Sequence, residues 1–172
     1  KQFEEMEKML HTNDEYDQVY DQVVCYGEIL SSLIVNKFLQ ENGFHCEWID
    51  ARNYIHTNET YREGKVDWKQ TEHLVQKELL PLFNSNNTNI IITQGFIGGT
   101  SENFTTTLGR EGSDYTAAIL AYTSNAKDVT IWKDVPGILN ADPKWFNETK
   151  LIEQLSYQDA IELAYYGATV IH

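Results

Sequence analysis

Asn89-Ile90-Ile91-Ile92-Thr93, running straight into Gln94-Gly95-Phe96-Ile97-Gly98-Gly99, decides the fold. A short apolar run without alternation, β-branched throughout, suits a strand covered on both faces, as in parallel sheets. Five glycines (95, 98, 99, 109 and 112) follow within a threonine-rich stretch, which predicts a long loop or hairpin of the kind that carries function. Outward from there, Ser113-Asp114 opens a helix through Ala117, Ala118, Ile119 and Leu120. Val129–Trp132 reads as a further strand, Ser156–Tyr166 as a last helix stopped by Gly167, and Val170-Ile171 as the start of another strand. Toward the N-terminus, Trp68–Phe83 reads as a helix with Leu74, Val75, Leu79 and Leu80 as its stripe, and Phe44–Ile49 as a strand. Glu28–Asn42 keeps a helical period and Gly43 sits where a C-cap would. Val23-Val24-Cys25-Tyr26, ended by Gly27, reads as a buried strand behind an amphipathic helix and loop over 1–22. Strands and helices in alternation predict an α/β fold with a mainly parallel sheet. Ligands bind such sheets outside the C-terminal strand ends, so the loops after Tyr26, Thr93 and Trp132 are the expected place.

The 172 residues fit one domain, and 41% hydrophobic and 12% aromatic content suit a packed core rather than a disordered chain. Acidic residues outnumber basic ones 26 to 13, for a formal charge of −13. That balance argues against nucleic acid, whose phosphates attract a basic surface, while leaving room for one local cationic pocket. No run reaches the ~20 apolar residues a membrane helix needs, and Lys1-Gln2-Phe3-Glu4-Glu5 is too acidic for a signal peptide. The reading is therefore cytoplasmic, with no membrane partner. Cys25 and Cys46 lack any CxxC partner, so they read as free buried thiols rather than a zinc site or a disulfide. The Asn-x-Ser/Thr matches at Asn58, Asn86, Asn103 and Asn147 read as chance.

Three segments carry candidate chemistry. Gly109-Arg110-Glu111-Gly112-Ser113-Asp114 leads from the glycine-rich stretch into a helix, where the helix start favours an anion and Arg110 can fork onto a carboxylate or phosphate. The plain alternative is that Ser113 or Asp114 caps the helix and Arg110 pairs with Glu111. Trp132-Lys133-Asp134-Val135-Pro136-Gly137, continuing to Leu139 and Asp142-Pro143-Lys144, offers Lys133 and Lys144 as a phosphate clamp, or else a tight turn with solvated lysines. Tyr26-Gly27-Glu28 places a carboxylate that can bind an amino group, or is ordinary in a helix's first turn.

Together these pieces resemble the aspartokinases of the amino acid kinase family. Gly109–Ala118 is similar to G-R-G-G-S-D-x-[ST]-A-A, Ile131–Pro143 to W-[TK]-D-V-x-G-[IV]-x-x-x-D-P, and Glu162–His172 to E-[LM]-x-x-[FY]-G-A-x-V-[IL]-H. Gly27-Glu28 and Gly95-Phe96-Ile97-Gly98 fit more loosely, and the similarity runs over about residues 23–172 in the family's order. The resemblance implies a three-layer α/β/α sandwich of the carbamate kinase-like type and a partial catalytic domain. Within it, 1–22 is a helical lead-in, 23–93 an aspartate-side part, and 94–172 a substrate loop and ATP-binding part.

The implied activity is an aspartate kinase that makes 4-phospho-L-aspartate from L-aspartate and ATP with Mg2+, opening lysine, threonine and methionine biosynthesis. Carried over by position, Arg110 grips a substrate carboxylate, Ser113 and Asp114 finish the aspartate site, Glu28 faces the ammonium and Phe96 walls the pocket. Lys133, Asp134 and Lys144 lie along the ATP, with Leu139 near the base or ribose. Asp114 and Lys133 are the implied catalytic groups, and the implied full-length enzyme is a homo-oligomer. The family's opening K-x-G-G-T-S is not found. Gly98-Gly99-Thr100-Ser101 mimics its end without a lysine, and no regulatory ACT domain follows. The reading is a kinase core cut at both ends, with little activity of its own. Glu111 stands where many members have Gly, and Thr169 where many have Lys. A glutamate, acetylglutamate or uridylate kinase, or a non-catalytic aspartate- or nucleotide-binding module, are the competing readings.

Overall fold

A long helix stands where the sequence reading places a strand. The structure, a computed structural model, describes residues 15–85 and 88–168 together with Glu4 and Glu7. Helix α1 spans Tyr16–Glu41 and swallows Val23-Val24-Cys25-Tyr26 in its middle, so no loop follows Tyr26. The deciding pattern is the buried series Asp21, Cys25, Ile29, Ser32, Asn36, spaced at helical intervals. Three of its members are polar, so an apolar count cannot see the stripe. Gly27 therefore lies inside a helix, exposed, with nothing within 4 Å of an added Cβ. The helix ends as read. Gly43 takes φ 84°, the Gly43 N–H donates to Gln40 O and the Phe44 N–H to Leu39 O, both at 3.1 Å. This double closure satisfies the last carbonyls in a left-handed turn that glycine accepts freely.

The contacts divide the chain into two compact units, Lys1–Val129 and Thr130–His172. In the first, β1 (Cys46–Trp48) pairs in parallel with β2 (Ile90–Ile92), in the register Cys46↔Ile90, Glu47↔Ile91, Trp48↔Ile92. A parallel pair needs a long crossover, and here it carries a 3-10 turn (Ala51–Asn53), helix α2 (Trp68–Leu74), a wider helical turn (Val75–Leu79) and the short α3 (Leu82–Ser85). The glycine-rich stretch is the antiparallel hairpin β3 (Ile97–Gly99) and β4 (Thr105–Thr107), in which Ile97 faces Thr107 and Gly99 faces Thr105. Helix α4 (Gly112–Thr123) follows. The fold is α/β with a parallel strand pair, as the sequence reading holds.

One apolar cluster joins Cys25, Tyr26 and Ile29 of α1 to Ala51 and Ile97, with Trp48 and Phe96 packed on it, and a second joins Ile55, Leu108 and Ile119. Between them the core is polar and mostly hydrogen-bonded, with Asn36 Oδ1 and Thr93 Oγ1 left without a partner among the described residues. The Gln94 side chain accepts from the Ala51 N–H (2.8 Å) and donates to Ser32 Oγ (2.8 Å), which also receives the Trp48 indole N–H at 2.9 Å. Asp21 is fully buried. It accepts from the Arg62 N–H (2.7 Å), the Thr107 N–H (2.9 Å) and the Thr107 hydroxyl (2.9 Å). Gln22 beside it accepts from the Thr105 N–H (3.0 Å) and donates to the Thr105 carbonyl (2.8 Å). Two side chains of α1 thus serve the edge of β4 as a neighbouring strand would. Cys25 and Cys46 are free thiols, Cys25 buried and Cys46 half-buried, and burial pushes the Cys25 thiol up in pKa.

Val129–Trp132, where the first unit passes into the second, forms no strand among the described residues, and Trp132 is left 90% exposed. A small clasp forms instead. Leu139 bridges Leu151 antiparallel, the Asn140 N–H donates to Lys150 O (3.0 Å), and the Ile152 N–H to Ile138 O (2.9 Å). Helix α5 (Tyr157–Tyr165) is capped by Ser156, whose Oγ accepts the Asp159 N–H at 3.1 Å, and Gly167 leaves it at φ 103°. The lead-in before Glu15 lies mostly outside the described residues, as do Thr169 and the expected strand at Val170-Ile171.

Two changes test this account of α1. Gly27→Ala is expected to raise the stability to urea by roughly 0.5–1 kcal/mol, since an exposed helix-interior glycine is replaced without a clash; a strand at 23–26 ended by a glycine turn would be destabilised instead. Asp21→Ala is expected to lower stability by at least ~2 kcal/mol, because it strands buried donors, and a loss within ±0.5 kcal/mol would show that the carboxylate ties nothing together.

Candidate functional site

The start of α4 is pressed onto the loop after β2. A Cβ on Gly95 would sit 2.9 Å from Cα, Cβ and Oγ of Ser113, and one on Gly112 would sit 2.8 Å from the Phe96 ring. Neither position tolerates a side chain without moving the other segment. Phe96 is held in the left-handed region at φ 71°. Its N–H donates to Thr116 Oγ1 (2.9 Å), and its carbonyl accepts from the Leu108 N–H at 2.8 Å. Gly109 (φ 80°) and Glu111 (φ 57°) turn the chain into the helix. Glu111 is the N-cap residue and makes no side-chain capping bond, so neither Ser113 nor Asp114 is the cap. The left-handed backbone at Glu111 gives a physical reason for the glycine found there in the resembled motif: only glycine adopts it without a Cβ penalty.

Phe96 and Arg110 line one cleft of about 600 Å³, together with Tyr20, Arg62, Thr107 and Gly109. The Arg110 side chain is exposed, Asp114 is half-buried and Ser113 exposed. Ser113 and Asp114 are not on the cleft wall; Ser113 packs on Gly95. Glu28 lies on α1, half-buried, and burial raises its carboxyl above the ordinary glutamate range. It is not on the cleft wall, but it shares a helical face with Asp17 and Asp21, at spacings of eleven and seven residues. Its expected position just past a strand is corrected to the middle of a helix.

Of the candidates in the second unit, the Lys133, Asp134 and Lys144 side chains are exposed, and Leu139 is half-buried against the 138–152 clasp. Lys144 stands on a turn built by Asp142, whose Oδ1 accepts the Lys144 N–H at 2.8 Å and whose carbonyl accepts from the Trp145 and Phe146 N–H groups at 3.0 Å. Gly137 takes φ 135°, and a Cβ there would meet Leu151 at 2.9 Å. The positive φ is what favours glycine in the Pro136-Gly137 turn.

Sequence reasoning missed Arg62, Asp17, Tyr20 and Asp21. The Arg62 guanidinium lies 4.5 Å over the Tyr20 ring and 3.3 Å from Asp17 Oδ1. Nothing in the irregular 50–66 stretch marks it, and the acidic positions of α1 align only once the segment is known to be helical.

The chain was compared with known proteins. Residues 1–172 match the Amino acid kinase family. Lysine-sensitive aspartokinase 3 of Escherichia coli is 40% identical over 152 residues, covering 88% of this chain and 33% of that protein. A chloroplastic bifunctional aspartokinase/homoserine dehydrogenase 2 of Arabidopsis thaliana is also 40% identical over 152 residues, covering 16% of its own length. Among solved structures, E. coli aspartokinase III in complex with aspartate and ADP superposes with a TM-score of 0.89 at 36% identity, over 99% of this chain and 38% of that one. The chain thus spans about a third of the E. coli relative. With the match running its whole length, this chain belongs to the amino acid kinase family.

Proposed function

We propose that the protein is an aspartate kinase, transferring the γ-phosphoryl group of ATP to the side-chain carboxylate of L-aspartate. The observation that carries the reading is the meeting of Phe96 and Arg110 in one cleft at the start of α4, in a chain whose relatives are aspartokinases. A carboxylate oxygen of aspartate attacks the γ-phosphorus, the bond from that phosphorus to the bridging oxygen breaks, and 4-phospho-L-aspartate and ADP result. The nucleophile is already an anion, so no base need remove a proton. What the protein must supply is positioning and cations that offset repulsion between two anions.

In this reading Arg110 forks onto a substrate carboxylate, at the end of a helix whose dipole favours negative charge. Phe96 walls the pocket, and Ser113 and Asp114 complete the aspartate site. Glu28 receives the ammonium. Lys133, Asp134 and Lys144 follow the nucleotide phosphates, with Leu139 against the base or ribose, and Asp114 and Lys133 act nearest the transfer. Among the described residues no group of three His, Cys, Asp or Glu side chains converges on a metal position. In this reading Mg2+ arrives with the nucleotide, an ion commonly held by phosphate oxygens, water and one or two carboxylates. The domain parts assigned from the sequence, an aspartate-side part over 23–93 and a substrate loop and ATP-binding part over 94–172, belong to the same proposal.

Two measurements test it. In a coupled ADP-release assay on the complete enzyme, Arg110→Ala is expected to raise the aspartate KM at least ~30-fold, the scale of losing one partner of a hydrogen-bonded charge pair, with the ATP KM little changed. An unmoved aspartate KM removes Arg110 from the site. For Glu28, an ammonium stabilises the ionised form. Aspartate affinity should therefore rise with pH as Glu28 ionises, just above the ordinary glutamate range. Titration calorimetry across that range should show the rise in the parent chain and a flat, weaker response in Glu28→Gln; parallel curves for the two would exclude the contact.

A further inference from the structure

The cleft holds a second guanidinium that the proposed mechanism does not use. Arg62 and Arg110 both line it, and both hang from the same buried anchor. The Asp21 carboxylate accepts the Arg62 N–H at 2.7 Å and the Thr107 N–H at 2.9 Å, and Arg110 follows Thr107 by three residues through Gly109. One carboxylate thus ties the base of Arg62 to the strand that leads into Arg110. The Arg62 side chain is laid along α1, with its guanidinium over the Tyr20 ring (4.5 Å) and paired with Asp17 (3.3 Å). Both partners of that pair are about half exposed, 48% and 58%, so the pair is solvated and weak. An incoming carboxylate meets one guanidinium already committed to a weak internal partner, in a cleft that Asp17 and Glu63 also line.

We infer that Arg62 is a specificity-determining contact for the carboxylates of the amino-acid substrate, acting beside Arg110, and that Asp17 is its built-in competitor. The inference rests on the aspartate kinase reading and deepens it. A substrate with two carboxylates presents one to each guanidinium. A monocarboxylate leaves one arginine with Asp17, and its recognition then depends on Arg110 alone. The competitor sets a threshold: only an anion that binds Arg62 better than Asp17 does takes the side chain from it.

The backbone supplies a clean test. Arg62 is held at φ 67°, a conformation glycine prefers, so Arg62→Gly removes the guanidinium while relieving the backbone. With all variants made in the complete enzyme, the aspartate KM in Arg62→Gly is expected to rise ~10-fold or more, the scale of a charge-assisted forked contact, with the ATP KM within about twofold. Arg62→Lys should restore part of the loss. Asp17→Asn should lower the aspartate KM ~2–5-fold at low salt, the scale of a surface pair, and that gain should shrink as salt screens it. In the Asp17→Asn/Arg62→Gly double variant the gain should vanish. Asparagine, tested as a competitor of aspartate, should bind the parent chain more weakly than aspartate and lose nothing further in Arg62→Gly. An aspartate KM unchanged in Arg62→Gly while Arg110→Ala raises it overturns the role of Arg62 and leaves the kinase reading standing. Aspartate-independent behaviour in the parent and in both arginine variants overturns the kinase reading itself, and this inference with it.

Discussion

One buried carboxylate organises the first unit. Among the described residues, Asp21 accepts hydrogen bonds from the backbone and hydroxyl of Thr107 and from the backbone of Arg62. A charge in a dry interior is tolerated when its lone pairs are filled by donors it polarises. Filling them forces three separate segments to one point: α1, the turn carrying Arg62 and strand β4. The site follows from this convergence. Strand β4 delivers Gly109 and Arg110, the turn delivers Arg62, and the Phe96 carbonyl takes the Leu108 N–H one residue beyond Thr107. Loosening the carboxylate would loosen all the walls of the cleft together.

The same logic runs through the rest of that core. Gln94 and Gln22 act as fragments of backbone, each giving and taking a hydrogen bond where a strand edge or a turn leaves groups open. Thr57 and Thr106 pair hydroxyl to hydroxyl, both buried. Such a core stabilises little through area, since few large apolar chains are fully enclosed, but it discriminates strongly. An apolar core accepts many near-equivalent packings, whereas a hydrogen-bonded polar one loses about 1–3 kcal/mol for each buried group left unmatched. A glycine-rich loop that must keep one shape benefits from neighbours of this kind.

That distinction also explains what could be read from the sequence. The parallel pair at Ile90–Ile92, the hairpin in the glycine-rich stretch, the helix after Gly112 and the Gly43 stop are local, each written in a run of adjacent residues. The middle of α1 was illegible because its buried stripe is Asp21, Cys25, Ile29, Ser32 and Asn36, while its most β-like residues, Val23 and Val24, are only partly buried. Propensity favoured a strand, and tertiary hydrogen bonds decided otherwise. The run at Val129–Trp132 failed in the opposite way: its composition suits a strand, but a strand exists only through a neighbour. As for the cleft, Phe96 and Arg110 stood out in the sequence because glycines flank them. Arg62 did not, because its placement depends on a hydrogen bond to a residue forty-one positions away.

The left-handed residues around the cleft complete the physical picture. Arg62, Phe96 and Glu111 all have positive φ, and none is glycine. Each such residue carries a penalty of order 1 kcal/mol, and it survives only where its surroundings over-determine it. Here the surroundings are identifiable: the Asp21 bond for Arg62, the Thr116 and Leu108 bonds for Phe96, and the close packing of Gly112 against the Phe96 ring, which leaves no room for a Cβ where α4 begins. Strain held so firmly means that the positions of these groups are set before any ligand arrives. Phosphoryl transfer to a carboxylate asks little of acid–base chemistry and much of fixed charge at fixed distance. A protein built for it gains by placing its strained, hydrogen-bonded backbone under the groups that must not move, and by leaving freedom to the guanidinium tips that have to find the substrate.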